Sequence, residues 1–62
     1  MSELTPRIGK VARRELAVNG IATYAELASR PEREILAIHG VGPKAIRILT
    51  EELAARRLRF AD

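Results

Sequence analysis

The stretch Ile35-Leu36-Ala37-Ile38-His39-Gly40-Val41-Gly42-Pro43-Lys44-Ala45-Ile46-Arg47-Ile48-Leu49 decides how this chain is read. Two glycines flank a single valine. Apolar residues at helical spacing lie on both sides: Ile35, Leu36 and Ile38 before the glycines, Ile46, Leu49 and Leu53 after them. The pattern predicts a helix, a tight reversal and a second helix. Gly40 can take the positive φ that such a reversal demands. Val41 is expected to point inward and pin the turn to a core. Gly42 has no side chain, so another backbone can approach it closely. Pro43 suits the first position of the new helix, where no N–H is needed. The free N–H groups of that first turn, together with the helix dipole, attract an anion. Lys44 sits in the same turn, where a cation is mildly unfavourable for the helix itself. A lysine there points to an anionic partner from outside.

Reading backward from the reversal, Pro31 starts a helix predicted over residues 32–38. Glu32 and Glu34 fall in its first turn, where the dipole favours negative charge. Thr23-Tyr24-Ala25-Glu26 has the form of a capping box and starts a short helix over 24–29. Thr5 as N-cap and Pro6 as first residue start a helix over 6–18. Ile8, Val11, Ala12 and Leu16 form its apolar face. Gly9 weakens that helix by up to about 1 kcal/mol relative to alanine. Asn19-Gly20 closes it, with Gly20 free to become left-handed. Ile21 is assigned to the core. Gly20-Ile21 followed by a helix is a faint echo of Gly40-Val41. Forward of the reversal, the fourth helix is predicted over 43–57, and Leu58 and Phe60 fold back onto the core. No stretch alternates as a strand would, so the fold class is all-α, a compact domain of four to five helices. Residues 1–4 read as a flexible leader and residues 5–62 as a single domain.

Size and composition narrow the function. The chain has 62 residues; a domain this small buries only about 60% of the surface its unfolded chain exposes. It has little room for a deep substrate cavity. There is no cysteine, hence no disulfide framework and no thiolate metal site, which suits a cytoplasmic setting. Met1 is followed by Ser2-Glu3-Leu4 without a basic segment leading into an apolar run, so no secretory signal is expected. No apolar stretch approaches the roughly 20 residues of a membrane span. Eleven Lys or Arg stand against eight Asp or Glu, a net charge of +3. All the basic residues except Arg30 and Arg33 fall in three zones, residues 7–14, 44–47 and 56–59. Where these charges gather in space matters more than their sum.

Several other residues carry groups capable of chemistry. His39 is the sole histidine and lacks partners at ligand spacing, so no metal is expected, and it reads as a surface residue near the turn. Glu51-Glu52 and Glu32/Glu34 read as ordinary helix charges, not an acid–base pair. Ser2 and Ser29 belong to no nucleophile constellation. No cofactor is implied, and the chain is expected not to be an enzyme. Tyr24 has two readings, a ring stacked on a base or a ring packed on the core, and its place beside the cap favours the core. Lys10, Arg13 and Arg14 form a basic stripe on the first helix. With Glu15 adjacent, Arg13 is read as serving solubility. Ile48 lies about 100° around the helix from Leu49. It either pads the edge of the core or marks a surface for a protein partner or a homodimer.

Residues Ile38, His39, Gly40, Val41, Gly42, Pro43 and Lys44 resemble the helix-hairpin-helix family, whose motif is an apolar residue, a variable residue, Gly, an apolar residue, Gly and often Pro-Lys. The match extends to the packing positions Ile35, Leu36, Ile46 and Leu49. The resemblance implies a SAM-like, helix-hairpin-helix fold. It also implies that Gly40, Val41, Gly42 and Lys44 hold DNA phosphates without reading sequence, with Arg47, Arg14 and Lys10 adding longer-range attraction. From Pro6 to Phe60 the chain is similar to the C-terminal domain of the bacterial RNA polymerase alpha subunit. The shared elements are the Gly20-Ile21 turn, the Thr-capped helix ending in Glu26-Leu27, the Glu32 to Leu36 helix and the hairpin. That family contacts the DNA minor groove through an Arg and an Asn on its first helix. Aligned through Gly20, those positions hold Val11 and Arg14, so the resemblance carries over the fold and backbone affinity, not promoter-type reading. The expected function is sequence-independent DNA-backbone binding, with a protein-interaction or dimerisation module on the same fold as the alternative.

Overall fold

The computed structural model describes residues 4–62. A short 3-10 turn, Pro6–Ile8, leads into four helices: α1 (Lys10–Val18), α2 (Tyr24–Ala28), α3 (Glu32–Leu36) and α4 (Pro43–Ala55). No strand occurs among the described residues. The fold is a small all-α domain around one core. Leu16, Ile21, Leu27, Ile35, Leu49 and Leu53 are its most deeply buried aliphatic residues. Each contributes about 1.5–3 kcal/mol relative to an exposed position. Because α2 and α3 are too short to hold themselves in water, this shared burial keeps them helical. No helix among the described residues is long and apolar enough to cross a membrane.

The first helix departs from its expected span. The Thr5 hydroxyl accepts a hydrogen bond from the Arg7 N–H at 3.2 Å, so Thr5 caps as the sequence suggests. What it caps is a 3-10 turn. Gly9 adopts φ +91° and ψ 161°, donates to the Pro6 carbonyl at 2.9 Å, and becomes the N-cap of α1. Those angles lie outside the helical region. The break lets the 3-10 turn pack against α4 in a way that a continuous helix over 6–18 could not.

Other expectations shift by smaller amounts. Helices α2, α3 and α4 end at Ala28, Leu36 and Ala55, short of the predicted 29, 38 and 57. The closing residues form turns instead; Ile38, for example, donates to the Ile35 carbonyl at 3.1 Å. Leu36, expected inside, is 43% exposed, and Ile38 is half-buried against the core. Leu4 is buried in the core cluster, so the expected leader 1–4 does not include it; residues 1–3 lie outside the described residues. Of the two residues expected to fold back at the end of the chain, Phe60 is buried and Leu58 is exposed. The last residues are tied to α3: Ala61 donates to the Arg30 carbonyl at 3.0 Å. An Asp62 carboxylate oxygen accepts from the Glu32 N–H at 3.1 Å, where Pro31 offers no side-chain cap.

Of the two readings of Ile48, the structure bears out the first, a residue padding the edge of the core. It is 8% exposed and lines a small cavity together with Ile8. The 3-10 turn, which the continuous-helix reading could not foresee, covers it. Ile48 therefore leaves little of its own surface exposed.

Candidate functional site

The hairpin is built from the end of α3 to the start of α4. Gly40 takes φ +88°, and Val41 turns inward and is buried. The Val41 N–H donates to the Ile38 carbonyl at 3.1 Å, so Val41 shapes the hairpin without offering a free amide. Gly42 is the N-cap of α4, extended at φ −104° and ψ −179°, and Pro43 is its first residue. No side chain caps this helix. The N–H groups of Gly40, Gly42, Lys44 and Ala45 have no hydrogen-bond partner among the described residues. A Cβ at Gly42 would meet nothing within 4 Å, so the approach to these amides is open.

Gly40 must be glycine for two reasons. Its φ is one that side chains rarely adopt. A Cβ there would also lie 2.8 Å from the Val11 Cγ1 atom. Val11 is thus the contact through which α1 presses on the hairpin.

The cations gather as follows. Lys44 and Arg47 are exposed on the outer face of α4, and Lys10 and Arg14 are exposed on α1. None of the four has an ion-pair partner among the described residues. A shallow cavity of about 250 Å³ connects the two helix starts, lined by Gly9, Gly40, Gly42, Lys44 and Arg7 among others. Gly9 and Arg7 were not foreseen there; only the break at Gly9 brings them to the hairpin. The Arg7 charge is engaged, 3.1 Å from Glu52 and 3.6 Å from Glu51. Glu52 also accepts from Arg56 at 2.9 Å. The Arg56 hydrogen bond holds its carboxyl below the usual range; desolvation opposes it, and the Arg7 hydrogen bond adds to the lowering.

The start of α2 is closed where that of α4 is open. The Thr23 hydroxyl accepts from the Glu26 N–H at 3.1 Å. A Glu26 carboxylate oxygen accepts from the N–H groups of Ala22 at 2.8 Å and Thr23 at 3.1 Å. The Ala22 amide is the main cause of a lowered Glu26 pKa. Thr23 and the Arg30 charge act in the same direction, and desolvation opposes them.

Tyr24 is buried. Its hydroxyl accepts from the Thr5 N–H at 2.9 Å, and the Arg56 guanidinium lies 3.9 Å over its ring, which leaves no face for a base. His39 is exposed. No group of three or more His, Cys, Asp or Glu among the described residues could hold a metal ion. Comparison with protein-family models, with curated proteins and with solved structures returns no match.

Proposed function

We propose that the chain is a non-enzymatic helix-hairpin-helix module that binds the DNA backbone without reading sequence. The observation that carries this reading is the start of α4, uncapped and open, with unpaired Lys44 and Arg47 beside it. A phosphate seated there would accept from the N–H groups of Gly42, Lys44 and Ala45 and meet the Lys44 ammonium, a charge-assisted arrangement. Arg47 on α4, with Lys10 and Arg14 on α1, would add attraction to neighbouring phosphates. Base reading is no part of the proposal, because Val11 presses on Gly40 and Tyr24 is covered. The cytoplasmic setting suggested by the cysteine-free sequence belongs to the same proposal.

With few phosphate contacts, the expected Kd is about 10⁻⁴–10⁻⁶ M. The test is an NMR titration of the labelled domain with a short duplex of arbitrary sequence. Shifts centred on residues 40–47 are expected, unchanged when the duplex sequence is scrambled. The log of affinity should fall with log salt at about −0.9 per phosphate neutralised. Unaltered duplex binding by Lys44→Glu would overturn the site.

A further inference from the structure

Among the described residues four large apolar side chains are exposed, and two of them share one helix: Val11 at 49% and Val18 at 75%. They stand two turns apart on α1, within about 20° of each other around its axis. Valine is a weaker helix former than Lys, Arg or Glu, so the exposed Val18 position gains nothing from it in the isolated domain, while Val11 touches Gly40 and still leaves half its surface open. Beside this stripe run Lys10 and Arg14, exposed and without ion-pair partners among the described residues. The α1 acid, Glu15, lies on the other side of the stripe, with its Cγ near Gly40. This face of α1 is therefore a pair of valines bordered by two cations on one side and by Glu15 on the other.

We infer that this face docks an acidic amphipathic helix of a partner protein, its apolar stripe on Val11 and Val18 and its carboxylates along Lys10 and Arg14. Charge complementarity selects that occupant. With two cations against the single Glu15 the face is net positive, so a second copy would bring like net charge against it, and a neutral helix would leave both cations unanswered. An acidic partner and DNA would share Lys10 and Arg14, so partner binding would weaken the duplex contact while leaving Lys44 free. Such a surface is independent of the hairpin and does not require the DNA reading to hold.

The probe is a synthetic helical peptide with leucines on one face and glutamates on its flanks. The control is a scrambled peptide of equal charge with no apolar face. In an NMR titration the patterned peptide should shift Val11, Arg14 and Val18 and bind at least tenfold more tightly than the control. Val18→Asp should weaken peptide binding at least tenfold while changing duplex affinity less than twofold; Val18 is so exposed that the fold should be unaffected. Arg14→Glu should weaken both. Equal binding of the two peptides, shifts confined to residues 42–47, or indifference to Val18→Asp would each overturn the docking surface. Loss of duplex binding alone would bear only on the hairpin.

Discussion

The chain reverses twice through a left-handed glycine, a buried apolar residue and a new helix, once from Gly20 into α2 and once from Gly40 into α4. The backbones begin alike: φ is +80° at Gly20 and +88° at Gly40, and Ile21 and Val41 are both buried. They finish differently. The start of α2 is filled by Thr23 and the Glu26 carboxylate, while the start of α4 has no side chain in it. Each helix start exposes N–H groups that call for an acceptor. At α2 the protein supplies its own anion; at α4 it supplies a lysine and no side-chain acceptor. The turns also differ in freedom. A Cβ at Gly20 would meet nothing within 4 Å, whereas one at Gly40 would strike Val11. The turn that leads into the uncapped helix is the one packed against a neighbouring side chain.

The largest effect should come from breaking that seat. Gly40→Ala combines a left-handed backbone, about 1–2 kcal/mol, with a clash that the half-exposed Val11 side chain must yield to. A domain of this size has about 3–5 kcal/mol in all, so thermal melts should show a Tm well below the parent's. Gly20→Ala, with only the backbone cost, should stay folded at a lower Tm. Adding Val11→Ala should restore part of the Gly40→Ala loss and none of the Gly20→Ala loss; equal effects at both glycines would refute the difference in packing.

Next in size is an exchange of ends. Gly42 is the N-cap of α4 as Thr23 is of α2, and a Cβ there would meet nothing within 4 Å. Gly42→Asp should place a carboxylate on the free amides, keep the helical circular dichroism, and lower duplex affinity more than tenfold. Gly42→Asn, similar in shape and uncharged, should lower it less. If both variants bind as the parent does, the open helix start is not the DNA contact.

Smaller effects test the closed turn. Thr23→Ala should lower stability by about 1 kcal/mol, the usual cost of losing a threonine N-cap, and leave duplex affinity unchanged. The smallest is a pH effect. The Glu26 pKa lies below its ordinary 4.5, so its stabilisation is complete above that value and fades as pH falls through the folded pKa. The Tm difference between the parent and Glu26→Gln should accordingly shrink on acidification below about pH 4.5. A difference that persists down to pH 2 would contradict a charged cap.

Much of this contrast is legible in the residues. Thr23 and Glu26 stand at capping-box spacing, and the pair Gly40 and Gly42 before Pro43-Lys44 marks a sharp turn into an uncapped helix. These features depend on hydrogen bonds and dihedrals within a few positions, which a linear reading can follow. The exposed cations Lys44, Arg47, Lys10 and Arg14 follow from helical spacing in the same way. Arg7 and Gly9 at the hairpin, and the loss of the Val41 amide to Ile38, were not legible, because each depends on where a neighbouring segment comes to rest.

Thus the sequence by itself determined the all-α class, the caps, the two glycine turns and the outward face of α4, since these are local preferences that packing reinforces. Only the tertiary structure decided that Gly9 breaks the first helix, that Leu4 and Ile48 are covered, and that Val11 sits on Gly40. The physical reason is that 3-10 and α conformations of a short segment differ little in local energy. The choice between them at residues 6–8 is made by the apolar surface that the turn covers on α4, an interaction across the length of the chain that no local window contains.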